Sequence, residues 1–251
     1  DHVTLAWAAG RRPARREALL AAALYAAGVG IAVAALAVSP AIALAAALAL
    51  SAYHFGTADA GPLGRGRAVS AAFGLLPVLG PLTFWPGRAR ALLAALAPGL
   101  AAAWHGAAVV VAGGVLAAAV AAALWRCVRA ATPGLAAELA LVTLTMAVLP
   151  PLAAFGCYFA LWHAPRHVAR LLAAEPRGLG RRADGLPVPA RGRPGDLVRA
   201  AWLPAAAAFA GLGAAWALLP SPLWPAVGLA GLLAVTLPHT VVVSRLAARG
   251  R

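Results

Sequence analysis

The chain is 251 residues long, 63% hydrophobic and only 11% charged, with a mean hydropathy of +0.84. A water-soluble domain carries roughly 25% charged residues and disordered chains are more polar still, so both classes are excluded and lipid is the solvent for most of the chain. The formal net charge is +14, but every basic residue is an arginine placed between apolar runs rather than along one face, which fits loops at an anionic membrane surface and argues against a nucleic-acid binder.

Residues 1–9 read as the tail of an earlier element. The chain begins at Asp1 without Met, and the basic cluster Arg11–Arg16 precedes a full-length span with no cleavage-like end. It is therefore expected to be N-terminally truncated, the continuation of a longer protein. Apolar runs approaching the roughly 20 residues a spanning helix needs follow at 18–38, 41–58, 68–85, 100–125, 135–149, 152–172, 197–218 and 223–244. The stretch 91–99 is either an interfacial piece or the start of the fourth span. Breaks fall at Ser39-Pro40, Gly61-Pro62, Pro86-Gly87, Thr132-Pro133-Gly134, Pro150-Pro151 and Pro220-Ser221-Pro222, where proline removes a helix donor and glycine loosens the backbone. The expected fold is all-α: a polytopic membrane helix bundle of about eight transmembrane helices, forming one integral-membrane domain over 1–251. Within it the arginine-, proline- and glycine-rich segment 174–196 reads as a flexible cytoplasmic loop. Abundant alanine and glycine suit close helix packing in lipid.

Threading eight spans in alternating directions places all of the 21 arginines except Arg88 and Arg90 on one side. That side is expected to be cytoplasmic, in a multi-pass protein of the plasma membrane. Cys127 and Cys157 have no zinc-type spacing and read as small apolar packing residues.

The chemical inventory is then six histidines. His54 lies near the cytoplasmic end of the second span, His163 and His167 near that end of the sixth, and His239 in the cytoplasmic half of the last. His2 precedes the first arginine cluster, and His105 sits toward the opposite side. Ionisable groups at membrane depth are costly and mark a specific partner or task. A lone membrane histidine is more often an interhelical hydrogen-bonding residue than a ligand, the reading kept for His105. Several histidines at one depth, including an i,i+4 pair on one helix face, favour a shared metal ion. By ligand type an all-imidazole site suits Fe(II), Cu or Zn. Pro165 between the paired histidines removes the bond to the Leu161 carbonyl and should kink the helix, either aiming both rings inward or spoiling the pair. Tyr53, Phe55, Tyr158, Phe159 and Trp162 flank these histidines, as the lining of a slot for a long apolar substrate or as interfacial belt residues.

At these residues the chain resembles the Brp/Blh family of bacterial and archaeal β-carotene 15,15'-dioxygenases. The resemblance rests on YHFGTAD at 53–59, YFALWHAPRH at 158–167 and LPHTVVV at 237–243, and on DHVTLA at 1–6, similar to the end of the family's N-terminal PHGxxDH motif. It implies an Fe(2+)-dependent enzyme that cleaves β-carotene at its central double bond with O2 to give two molecules of retinal. His54, His163 and His167 would be iron ligands, with a fourth histidine upstream of residue 1. His239 is carried as a less firmly placed candidate ligand, and His2 as a near-site residue. Tyr53, Phe55, Tyr158 and Trp162 are candidate substrate-lining residues. Asp59 and Glu138 are the carboxylates available to orient the imidazoles. The implied partners are β-carotene, O2 and the lipid bilayer, with a retinal-binding opsin as a conceivable product acceptor.

Two other classes compete. An opsin needs a Schiff-base lysine, which the chain lacks, and a membrane desaturase needs about eight clustered histidines. A transporter or a bis-histidine haem protein remains. The first calls for paired charges at mid-membrane, where only Glu138 is a candidate; the second calls for two histidines facing each other from separate helices.

Overall fold

The computed structural model describes residues 15–60 and 66–167, and within 228–241 all but 229 and 232; these described residues are helical, turn or short connecting segments, with no strand among them. Backbone contacts group 34–167 into one compact unit and assign Arg15–Val33 and the 228–241 helix to a second. The expected loop 174–196, the seventh span at 197–218 and His2 lie outside the described residues.

In chain order the helices are α1 (Arg15–Val38), α2 (Pro40–Asp59), α3 (Gly66–Phe84), α4 (Pro86–Leu96), α5 (Pro98–Ala103), α6 (Gly106–Arg129), α7 (Pro133–Val148) and α8 (Pro151–Tyr158). A π-helical turn, Phe159–His163, continues α8. Five of these helices open on proline in their first turn. There the missing N–H is one that no helix could pair, and the fixed φ is already helical. Four of these prolines, Pro40, Pro86, Pro133 and Pro151, stand at breaks read from the sequence and also start the next helix. The fourth span differs from its expected 100–125: 98–103 is a separate short helix, and the long one begins at Gly106 and runs on to Arg129. Trp104 at the junction donates its indole N–H to the Leu82 carbonyl of α3 at 3.2 Å.

Helix α6 closes in a Schellman arrangement. Thr132 N–H bonds the Cys127 carbonyl at 2.9 Å and Ala131 N–H bonds that of Val128 at 3.2 Å. Ala131, at φ 49°, occupies the left-handed position usually given to glycine. Cys127 is buried and Cys157 partly so, both as free thiols.

Three helices, Pro40–Asp59, Gly66–Phe84 and Gly106–Arg129, are long and apolar enough to cross a membrane, and Ala22–Val38 and Pro133–Val148 are shorter apolar helices. Exposure tells the same story. Val110, Val111 and Val128 on α6 are 73%, 65% and 73% exposed, a wholly apolar face that water would penalise and lipid accepts. The protein is thus a bundle of apolar helices of membrane type.

Helix α3 is the hub of the 34–167 unit, packing against α2, α4, α6, α7 and α8. Phe73, Leu76 and Met146 have no exposed surface there. With lipid outside, such packing is driven by close van der Waals fit rather than by expulsion of water, and glycine sets the fit. A Cβ on Gly56 of α2 would strike the Ser70 carbonyl oxygen, and one on Gly74 of α3 would strike that of Ala52. The two backbones touch at this crossing. In the second unit Gly28 makes a similar, looser approach to Pro238, where an added Cβ would stand 3.2 Å from the ring.

An apolar groove of about 450 Å³ runs between α3, α6 and α7, bordered by Leu76, Val109, Gly113, Leu116 and Leu124. Thr83 and Thr143 also face it, but their hydroxyls bond the Leu79 and Leu139 carbonyls at 2.7 Å, so its walls are chemically hydrocarbon.

Candidate metal centre beside a buried carboxylate

The site forms where the C-terminal end of α2 meets the π turn after α8. Helix α2 supplies His54, Phe55 and Asp59, which are 5%, 6% and 2% exposed; the other segment supplies Tyr158 and His163, at 2% and 4%. The His54 and His163 rings meet edge to face, with centroids 5.4 Å apart. Phe55 fills the angle beside them, 4.9 Å from the His163 ring and 5.4 Å from that of Tyr158. His167 stacks nearly parallel on His163, with centroids 6.3 Å apart.

Asp59 organises this cluster. Its carboxylate accepts a hydrogen bond from the Tyr158 hydroxyl at 2.5 Å and faces His163 Nδ1 at 3.1 and 3.2 Å. An ionised carboxylate can only accept, so this contact calls for a proton on His163 Nδ1. The carboxylate side chain itself is fully buried, and such a group is tolerated because it is hydrogen-bonded.

The local helix geometry explains how Tyr158 and His163 reach the same partner. Residues five apart on an α-helix are rotated by about 140°. The Ala164 N–H instead bonds the Phe159 carbonyl, five residues back; this wider turn brings residues five apart nearly onto one face. The rings of Tyr158 and His163 accordingly stack 6.3 Å apart. Pro165 follows at once. Its ring would clash with the Leu161 carbonyl in a regular α-helix, so the kink expected from the sequence takes the form of a π turn, with His163 directed inward.

Arg166 secures the next turn. Its guanidinium pairs with Glu138 of α7 at 2.9 Å and lies 4.3 Å from the centre of the Trp162 ring, which in turn stacks on Phe73 of α3. The two carboxylates singled out in the sequence thus have different tasks: Asp59 contacts a histidine and Glu138 anchors the helix that carries it.

The remaining expected residues are dispersed. Tyr53 is 62% exposed on the outward side of α2. Phe55 and Tyr158 are packed into the cluster, and Trp162 sits between Phe73 and Arg166. His105 is exposed in the extended link before α6, away from any cluster, and His239 belongs to the other unit. Among the described residues no group of three or more His, Cys, Asp and Glu side chains is disposed to hold a metal ion. The described donors fit an iron site in kind, as buried imidazoles, one of which faces a carboxylate. In number they supply the His54–His163 pair, with His167 one turn beyond.

Sequence reasoning gave no role to the Tyr158 hydroxyl and no definite partner to Asp59. The available signal was an aspartate retained at the end of an apolar helix in a chain with only 7 acidic residues.

An apolar helix bundle enclosing a carboxylate–histidine cluster defines the class: a helical protein of membrane type with a buried polar centre. The chain belongs to the β-carotene 15,15'-dioxygenase family, whose profile matches residues 1–247. It is similar to the probable β-carotene 15,15'-dioxygenase Blh of Halobacterium salinarum, 36% identical over 122 residues. That stretch covers 43% of this chain and 32% of the relative, so the chain aligns with about a third of the relative's length. No solved structure matches it.

Proposed function

We propose that the protein cleaves β-carotene with O2 at the central 15,15' double bond, each new end carbon taking an oxygen to yield two molecules of retinal, at an Fe(II) centre held by His54 and His163. The supporting observation is the coincidence of a family match along nearly the whole chain with two buried imidazoles from separate helices, one oriented by Asp59. His167 is the third proposed ligand. Bound iron would supply the activation of O2 that a carotenoid and side chains alone lack.

The protein's own groups do the rest. Asp59 keeps the His163 proton on Nδ1, so that Nε2 remains a donor. Phe55 and the apolar ends of α2 and α8 exclude water, protecting the polyene from side reactions. The substrate dissolves in hydrocarbon, and the groove along α6 offers it hydrocarbon walls; entry is lateral, without a passage through water. In this orientation the site lies toward the arginine-rich, cytoplasmic face, and retinal leaves into the bilayer, where an opsin is a fitting acceptor. The edge-to-face contact of His54 and His163 leaves no slab between them for a porphyrin, which disfavours bis-histidine haem ligation.

Expression of the full-length protein in β-carotene-accumulating cells is expected to bleach the colour and produce retinal. Retained colour without retinal, in cells where membrane insertion is verified, rejects the proposal.

A further inference from the structure

We infer that Asp59 and Tyr158 are positioning residues that select the Nδ1–H tautomer of His163 and aim its Nε2 into the space beside His54. This rests on the metal-centre reading above and deepens it, adding Tyr158 and the aim of the ring to the task given there to Asp59. Three features from two segments converge on it. Asp59 ends α2 and is buried. The π turn brings Tyr158 and His163 onto one face. The Tyr158 hydroxyl, donating at 2.5 Å, holds the carboxylate in register with the imidazole.

A free histidine in an apolar site has two neutral tautomers of similar energy, and only one presents Nε2 as a donor. The carboxylate opposite Nδ1 removes the choice, because its oxygens cannot face a bare Nδ1 without repulsion between lone pairs. It also raises the basicity of the ring toward a cation. Tyr158 acts one bond further out: without its hydroxyl, the Asp59 carboxylate can rotate and its contact with Nδ1 loosens. Phe55, edge-on to both rings, blocks the other direction of motion.

The test uses the full chain purified in detergent, with two readouts. In metal-free, 15N-histidine-labelled protein at alkaline pH, where imidazoles are neutral, the His163 resonances are assigned by comparison with His163→Ala. They are expected to show a protonated Nδ1 in the wild type and a mixed population in Asp59→Asn. Titration with Co(II) as a probe is expected to give an affinity about 10- to 100-fold lower for Asp59→Asn. A smaller loss is expected for Tyr158→Phe, which removes one oxygen and keeps the ring packed against Phe55. Thermal unfolding of the metal-free variants separates positioning from folding. If Asp59→Asn does not fold, Tyr158→Phe carries the test alone, expected to combine a wild-type fold with a shifted tautomer population.

A protonated Nε2 in the wild type, or wild-type tautomer and Co(II) affinity in both variants, overturns the inference. A wild type that shows the Nδ1–H tautomer yet binds no Co(II) leaves the positioning intact and counts instead against the metal centre.

Discussion

Replacing His163 with alanine is expected to abolish carotenoid cleavage and also to weaken the fold, whereas His54→Ala should abolish cleavage and cost much less stability. The contrast follows from their partners. Both imidazoles are buried at the junction of α2 and the π turn, and loss of either is expected to lower activity at least about 100-fold, since even outer-shell partners of metal ligands are worth about 10- to 100-fold. His163 faces the fully buried Asp59 carboxylate. Its removal takes away one of the partners that, with the Tyr158 hydroxyl, offset the desolvation of that acceptor, costing about 1–3 kcal/mol unless the carboxyl protonates. Activity of membrane fractions and thermal unfolding in detergent measure the two effects. Equal stability losses in the two variants would show that Asp59 does not depend on His163.

Gly74→Val is expected to destabilise the 34–167 unit by about 3 kcal/mol or more and to reduce activity to background. Even the first added carbon would strike the Ala52 carbonyl oxygen on α2. That atom is backbone and cannot swing aside, so α2 must move away from α3. His54 and Asp59 ride on the displaced helix, and the contact with His163 opens. Gly114→Ala on α6 is the matched control: nothing stands within 4 Å of an added Cβ there, and the change is expected to leave activity unaltered with stability unchanged or higher by up to about 1 kcal/mol. A Gly74→Val protein with wild-type unfolding would mean that the helix crossing tolerates separation.

Much of this architecture was legible in the sequence because it follows from local chemistry. Pro40, Pro86, Pro133 and Pro151 mark helix boundaries for reasons contained within one turn, whereas the helix start at Pro98 fell inside a stretch read as one piece. The apolar runs around them declare lipid as solvent without reference to any neighbour. The role of Gly56 was not legible, since a glycine in an apolar helix looks the same whether it faces lipid or another backbone. Pro165 announced an irregularity but not its kind: whether a helix kinks or widens depends on what the next side chains can reach. Here the widened turn lets Tyr158 and His163 share Asp59, a partnership across 99 and 104 positions of chain that no spacing rule connects. The histidines themselves were visible as ionisable groups too costly to bury without a task. The structure pairs His54 with His163 and places His167 beside them, while His105 is exposed in the extended link before α6.

The central claim, that imidazoles on α2 and on the segment after α8 hold the reactive iron, is tested most directly by the iron content of anaerobically purified, full-length protein. The account predicts non-haem iron stoichiometric with the wild-type protein and lost from both His54→Ala and His163→Ala. Active wild-type protein free of iron, or variants that keep their full complement, would contradict it.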